Sequence, residues 1–178
     1  SGANTYSGGT TVSTGTLKAG VSSSGSLPSG PFGTAAVVVS SGATLDLNGY
    51  SISNALSLSG TGDSSNGALY NSSASSSSAT GAITLLANTT IKELGGLNLG
   101  SINGAFALTV NTLGSGITTF GGAVGNSTNL TSLTTTPTAG AAGVTISGGS
   151  IATTGDLSLG NAITLGANTT LTSANAIT

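Results

Sequence analysis

Apolar residues along this chain come in pairs and triplets spaced one residue apart. Leu45 and Leu47, Leu56 and Leu58, Ile83 and Leu85, Leu97 and Leu99, Val144 and Ile146, Leu157 and Leu159, and Ile163 and Leu165 each flank a single outward position, and Phe106, Leu108 and Val110 form a triplet. A period of two is the mark of a half-buried strand. Gly, Asn or Ser cuts every run short, so the inward faces are two or three residues long. That is too brief for sandwich strands and suits the small flat faces of a parallel β-helix. Further short candidates are Ile52, residues 117–120, Leu130 with Leu133, and Ile151. No stretch has a 3.6-residue period with caps, and Thr, Val, Ile and Gly are poor helix formers.

One unit returns at long range. Residues 82–90, AITLLANTT, reappear as residues 162–170, AITLGANTT, with eight of nine positions identical. A recurring strand-and-turn unit indicates a repeat architecture, in which each unit buries its apolar face only against a neighbour. The triplet Leu56-Ser57-Leu58 also corresponds to Leu157-Ser158-Leu159. The step from Leu58 to Ile83 is 25 residues and that from Leu159 to Ile163 is 4, so the first copy carries 21 more. Residues 60–81 are therefore either an inserted coil, with a short strand at residues 67–71, or a Ser-rich loop.

At the start, Thr10, Val12 and Thr14 alternate before Thr16-Leu17-Lys18, with corners at Gly8-Gly9 and Gly15. Residues 21–32, holding Pro28 and Pro31, read as a loop. Residues 35–39, AAVVV, are a continuous apolar run, as expected of a strand covered on both faces.

Gly, Ser and Thr, 30 of each, make up half of the 178 residues. Charged residues are 3%, against about 25% in ordinary globular chains. With a mean hydropathy of +0.35, this composition opposes disorder, which needs low hydrophobicity and high net charge. The net charge is −2, and only Lys18 and Lys92 are cationic. That leaves no basic stripe for nucleic acid. The longest apolar run, five residues, falls far short of the roughly 18 that span a membrane. Cysteine is absent, so disulfides and thiolate sites are excluded. No leader opens the chain, and its start inside a motif suggests a mature piece of something longer.

The string SGANTYSGGTTVSTGTLKAG closely resembles the autotransporter-associated β-strand repeat. GALYNSS with GAITLLANTTI, and FALTVNTLGSGITTFGGAVGNSTNLTSLTT, look like segments of very large autotransporter and filamentous-haemagglutinin-like surface proteins. Together they cover about two fifths of the chain. The resemblance implies a right-handed β-solenoid passenger at a bacterial surface or outside the cell.

Candidate chemistry is sparse. The carboxylates are Asp46, Asp63, Glu93 and Asp156. Some β-helices are polysaccharide lyases and hydrolases, which need clustered carboxylates. Here Asp46 and Asp156 read as outward, Asp63 as a turn residue, and Glu93 as paired with Lys92 on a solvated face. All four read as solubilising charges, with no catalytic, cofactor or metal residue expected. No Gly-Gly-x-Gly-x-Asp run, EF-hand loop or phosphate loop occurs. Thr pairs at 10, 89, 118, 153 and 169 are adjacent, so one of each turns inward or lies at a corner, unlike a flat ice-binding array. Sequons at Asn71, Asn88, Asn126, Asn129 and Asn168 are expected by chance, and stacked asparagines in turns read as amide ladders.

The sequence thus predicts one all-β domain over residues 1–178, a right-handed parallel β-helix of about nine coils and roughly 40 Å. The competing fold is an antiparallel sandwich of hairpins at Asn48, Asn66 and Asn103. The expected role is a non-catalytic spacer in a bacterial extracellular fibre, filament or adhesin. Its expected partners are further copies stacked end to end, with cell-surface glycans as a second candidate. A carbohydrate-active β-helix enzyme is the alternative. Leu45, Leu56, Leu58, Ile83, Leu85, Leu99, Leu108, Val110, Val144, Ile146, Leu157, Leu159, Ile163 and Leu165 are expected inside, in columns along the axis. With no His, stability should be nearly flat from about pH 6 to 9.

Overall fold

The computed structural model describes residues 2–24, 29–138, 140 and 142–178. Its strands pair in parallel throughout, each with the strand one turn earlier or later. Among the described residues the antiparallel contact is a single bridge, Asn4 to Gly30. The hairpin sandwich is thereby overturned: the glycines after Asn48 and Asn66 adopt positive φ, but they turn the chain around a corner and not back on itself. The fold is a parallel β-solenoid with three faces.

Each face carries an interior column in register. On the first face Val37, Leu56, Ile83, Ile102, Val124, Ile151 and Leu171 follow one another. Leu17, Leu45, Leu69, Ile91, Val110, Thr135 and Leu159 form the second. The third holds Ile52, Ala79, Leu99, Phe120, Ile146 and Leu165. Six positions on that face mean about six turns, not nine, and at about 4.8 Å per rung an axial length on the order of 30 Å. The difference lies in the corners. Successive first-face positions are 19 residues apart from Val37 to Leu56 but 27 from Leu56 to Ile83, because residues such as 61–67 are spent outside the ladder.

Residues 60–81 belong to a full turn. Leu69–Asn71 joins the second face between Ala43–Asp46 and Ile83–Glu93. Ser77–Ala79 joins the third beside Leu97–Leu99. The intervening residues 61–67 fold over the second face as an irregular turn containing a short 3-10 segment, Asp63–Ser65. Gly62 is required there: its φ is +82°, and a Cβ would collide with the backbone of Gly67. No helix among the described residues is long and apolar enough to cross a membrane.

The long-range repeat does not mark equivalent places. Ile83–Glu93 is one bent strand whose ITL lies on the first face and whose TTI lies on the second. The later ITL, Ile163–Leu165, lies on the third face, and Thr170–Ser173 follows on the first. From Ile83, three turns lead through Ile102 and Val124 to Ile151, and two further faces lead to Ile163. The copies are therefore three and two-thirds turns apart. Likewise Leu56–Leu58 sits on the first face and Leu157–Leu159 on the second.

Most of the expected interior is buried, with three departures at the last turn: Leu159 and Ile163 are half-buried and Leu165 is 57% exposed. Among the described residues no later strand follows Ile163 and Leu165 on the third face, and only the bridge of Leu157 to Ile177 follows on the second. The apolar run at residues 35–39 is covered on one face only, since Val37 and Val39 are buried while Val38 is half-buried and Ala36 exposed. Of the loop at residues 21–32, Pro28 lies outside the described residues, and Pro31 sits in a turn as expected.

Truncating an interior leucine removes contacts to the rungs on both sides. Leu58→Ala should cost about 2–5 kcal/mol and Leu165→Ala under about 1 kcal/mol, read by chemical denaturation; equal costs would mean that the last turn is packed like the others. Thr135 interrupts the second-face column, and its buried Oγ1 has no partner. Because an unsatisfied buried hydroxyl costs about 1–3 kcal/mol, Thr135→Val should raise the midpoint of unfolding.

Candidate functional site

The chain's few charges are not spread over its surface. Of six charged residues, five lie on or beneath the second face. Lys18, Asp46, Tyr70 and Lys92 occupy one outward column in register. Asp63 reaches this face through the turn above Thr44: its N–H donates to Thr44 Oγ1 (2.8 Å), and its Oδ2 accepts from Thr16 Oγ1 (3.1 Å). Glu93 ends the strand that carries Lys92 but points the other way. Only Asp156 lies apart, exposed, its Oδ1 3.4 Å from the N–H of Ala176.

Asp46 is an anchor and not a solubilising charge. Its carboxylate accepts from Ser72 Oγ at 2.7 Å, the Ser72 N–H at 3.1 Å and the Asn48 N–H at 2.9 Å, and Lys18 Nζ lies at 3.1 Å. The bond to Asn48 closes a local Asx turn and helps hold Asn48 at φ 51°. The remaining contacts tie three successive rungs together. Side-chain exposure is 52% for Lys18 and 5% for Asp46, so the ion pair itself adds little in water. The donors from Ser72 and Asn48 carry most of the anchoring.

Glu93 overturns its sequence reading outright. It is fully buried and does not pair with Lys92, since neighbours on a strand point to opposite sides. Its Oε2 accepts from the Gly96 N–H at 2.6 Å and its Oε1 lies 3.4 Å from Thr118 Oγ1. In the same interior column are Asn71 above and Thr112 below, both buried. Burial raises the Glu93 carboxyl above its ordinary value of 4.5, while the bonds from Gly96 and Thr118 pull it down more weakly. No signal in the sequence singled it out, because ITLLANTTIKE can be read in either phase after the bend.

Asparagines hold the corners, though not as ladders of stacked amides. Asn54 Nδ2 donates to the carbonyls of Gly33 and Ala35, Asn71 Nδ2 to those of Ser75 and Gly96, and Asn161 Nδ2 to that of Ala142 and to Thr112 Oγ1. Each thus clips one rung to another. The Asn71 sequon is sealed, since that side chain is wholly inside. In the Thr pairs at 89, 118 and 153 the first residue turns inward and is buried, as expected.

Among the described residues no three carboxylates converge. The second face therefore offers a mixed-charge patch with one partly covered tyrosine, and the interior offers a carboxyl group shielded from solvent. No family model, curated protein or solved structure matches this chain, so the assignment stands at the fold, a β-solenoid.

Glu93 gives the stability of the molecule a pH dependence. Between the ordinary and the raised value the folded state holds a proton that the unfolded chain has lost. Stability therefore falls as pH rises through that window and levels off above it. Glu93→Gln keeps both bonds without a charge. Its stability relative to the native chain should be near zero below about pH 4 and become positive at neutral pH, measured by denaturation across pH. A difference independent of pH would mean that Glu93 is charged and satisfied throughout.

Proposed function

We propose that this chain is a non-catalytic structural segment of a bacterial extracellular fibre, filament or adhesin, a rigid right-handed spacer that associates end to end. The observation that carries the proposal is the continuity of the three ladders. Every rung is held by the rungs beside it, through backbone bonds and through interior columns that run the length of the body. Such a core grows by addition along one axis and encloses nothing at its centre, which suits a load-bearing or distance-setting element. The resemblance of the first 20 residues to autotransporter repeats supports the bacterial, extracellular setting.

The carboxylates support the same reading over a carbohydrate-active enzyme. Glu93 is sealed under Gly96, and Asp46 is saturated by donors from its own chain. End-to-end association would extend the same ladders, with Leu165 and Ile177, 57% and 51% exposed, covered by the added rung. Head-to-tail contacts of this kind are heterologous and extend without closing.

Sedimentation and negative-stain microscopy over a concentration series test this. Rod-like species that lengthen with concentration, and that vanish when Leu165 is replaced by Lys, are the expected result. A monomer at every concentration would remove the association. Shortened chains released from a polysaccharide panel would replace the structural reading with an enzymatic one.

A further inference from the structure

A hollow lies on the third face, away from the charged patch. It measures about 530 Å³, well within the range of ligand sites. A second hollow of about 220 Å³ shares Asn98 with it. The first hollow crosses four successive rungs, since Ser78, Asn98, Thr119 and Thr145, outward residues in register, all line it. At about 4.8 Å per rung that row is on the order of 14 Å long, more than one sugar ring.

The hollow arises from the corner before this face. Gly95 and Gly116 stack so closely there that a Cβ on Gly116 would overlap the backbone of Gly96, and one on Gly95 would overlap that of Ala74. With side chains excluded, the corner recedes and the row of hydroxyls and amide stands at its edge. No charged residue lines either hollow. Ile117, 52% exposed, is the one large apolar side chain exposed on the wall.

One polar atom at the hollow is unused: Asn98 Oδ1, on the residue that the two hollows share, has no partner. Buried polar atoms are normally bonded, so this amide oxygen is an acceptor that a bound hydroxyl can satisfy. Hydroxyls that both give and accept, an unpaired amide oxygen, no charge and one apolar contact are complementary to a neutral polyhydroxyl chain.

We propose that the third-face groove binds a neutral linear glycan laid along the solenoid axis. Asn98 and Thr119 bond its hydroxyls, and Ile117 packs against a ring face. This deepens the reading of the chain as a surface segment, on which the choice of ligand rests. An acidic glycan would place charge where no cation answers it, since Lys18 and Lys92 are both on the second face.

The test is titration calorimetry of the whole chain with neutral hexasaccharides of glucose, mannose and N-acetylglucosamine, and with hyaluronan as the charged comparison. Saturable binding of at least one neutral chain, and none of hyaluronan, is expected. Thr119→Arg should abolish it by filling the groove. Asn98→Ala should weaken it about fivefold, the worth of one hydrogen bond. Ile117→Ser, at an exposed position where folding is unaffected, should also weaken it, and Lys18→Ala should leave it unchanged. Failure of every neutral chain to bind, equal binding by Thr119→Arg with an unchanged melting temperature, or a preference for hyaluronan would each overturn the proposal. Recovery of the bound hexasaccharide intact keeps both readings. Recovery of cleaved product with binding still lost in Thr119→Arg would sink the non-catalytic reading while leaving the groove's ligand in place.

Discussion

Everything in this molecule depends on the contact between one rung and the next. A three-residue strand with two inward side chains buries almost nothing alone, and its backbone groups have no partner within the rung. Parallel pairing at about 4.8 Å satisfies both at once. It places Leu45 on Leu69 and Leu99 on Phe120, and it carries the backbone bonds between them. Side-chain packing and hydrogen bonding are thus the same interaction in two aspects. A rung that loses its neighbour loses both, as the exposure of Leu165 shows.

That constraint explains where the chain tolerates variety. Within the three columns the side chains are apolar, except Thr135, whose buried hydroxyl has no partner. Corners are free to lengthen outward, because extra residues there disturb no ladder. Residues 61–67 are the clearest case: they leave the second face, cover Thr44, and return in register at Leu69. Polar side chains enter the interior at corners, where carbonyls not used by the ladder await donors. Asn54, Asn71 and Asn161 meet them, while Glu93 is accommodated by the Gly96 amide at the cost of a raised carboxyl pKa.

The surfaces divide the same way. With so few charges, what distinguishes one face from another is which small polar side chains stand in register. The second face gathers both lysines around Asp46 and Tyr70, and the turn at residues 61–67 folds across it. The third is uncharged, hydroxyl-rich and hollowed by glycine corners. A rigid repeated backbone presents both as fixed rows, which suits an extended partner better than a compact one.

The alternation of Leu45 with Leu47, or Ile83 with Leu85, was enough to fix strands, their inward residues and the all-β repeat class, because a period of two determines which side chains share a face whatever the strand pairs with. Composition alone excluded a basic interface and disulfides. Three things needed the tertiary structure. The number of turns depends on how many residues each corner consumes, and nothing local sets this at residues 61–67. The face occupied by ITL differs between its two copies, since three similar apolar interiors accept the same triplet equally well. The fate of Glu93 and Asp46 was decided by phase at a bend and by donors on the next rung, Thr118 and Ser72 among them. Strand pattern is written in neighbouring residues; the surroundings of a carboxylate in a solenoid are supplied by residues one turn distant.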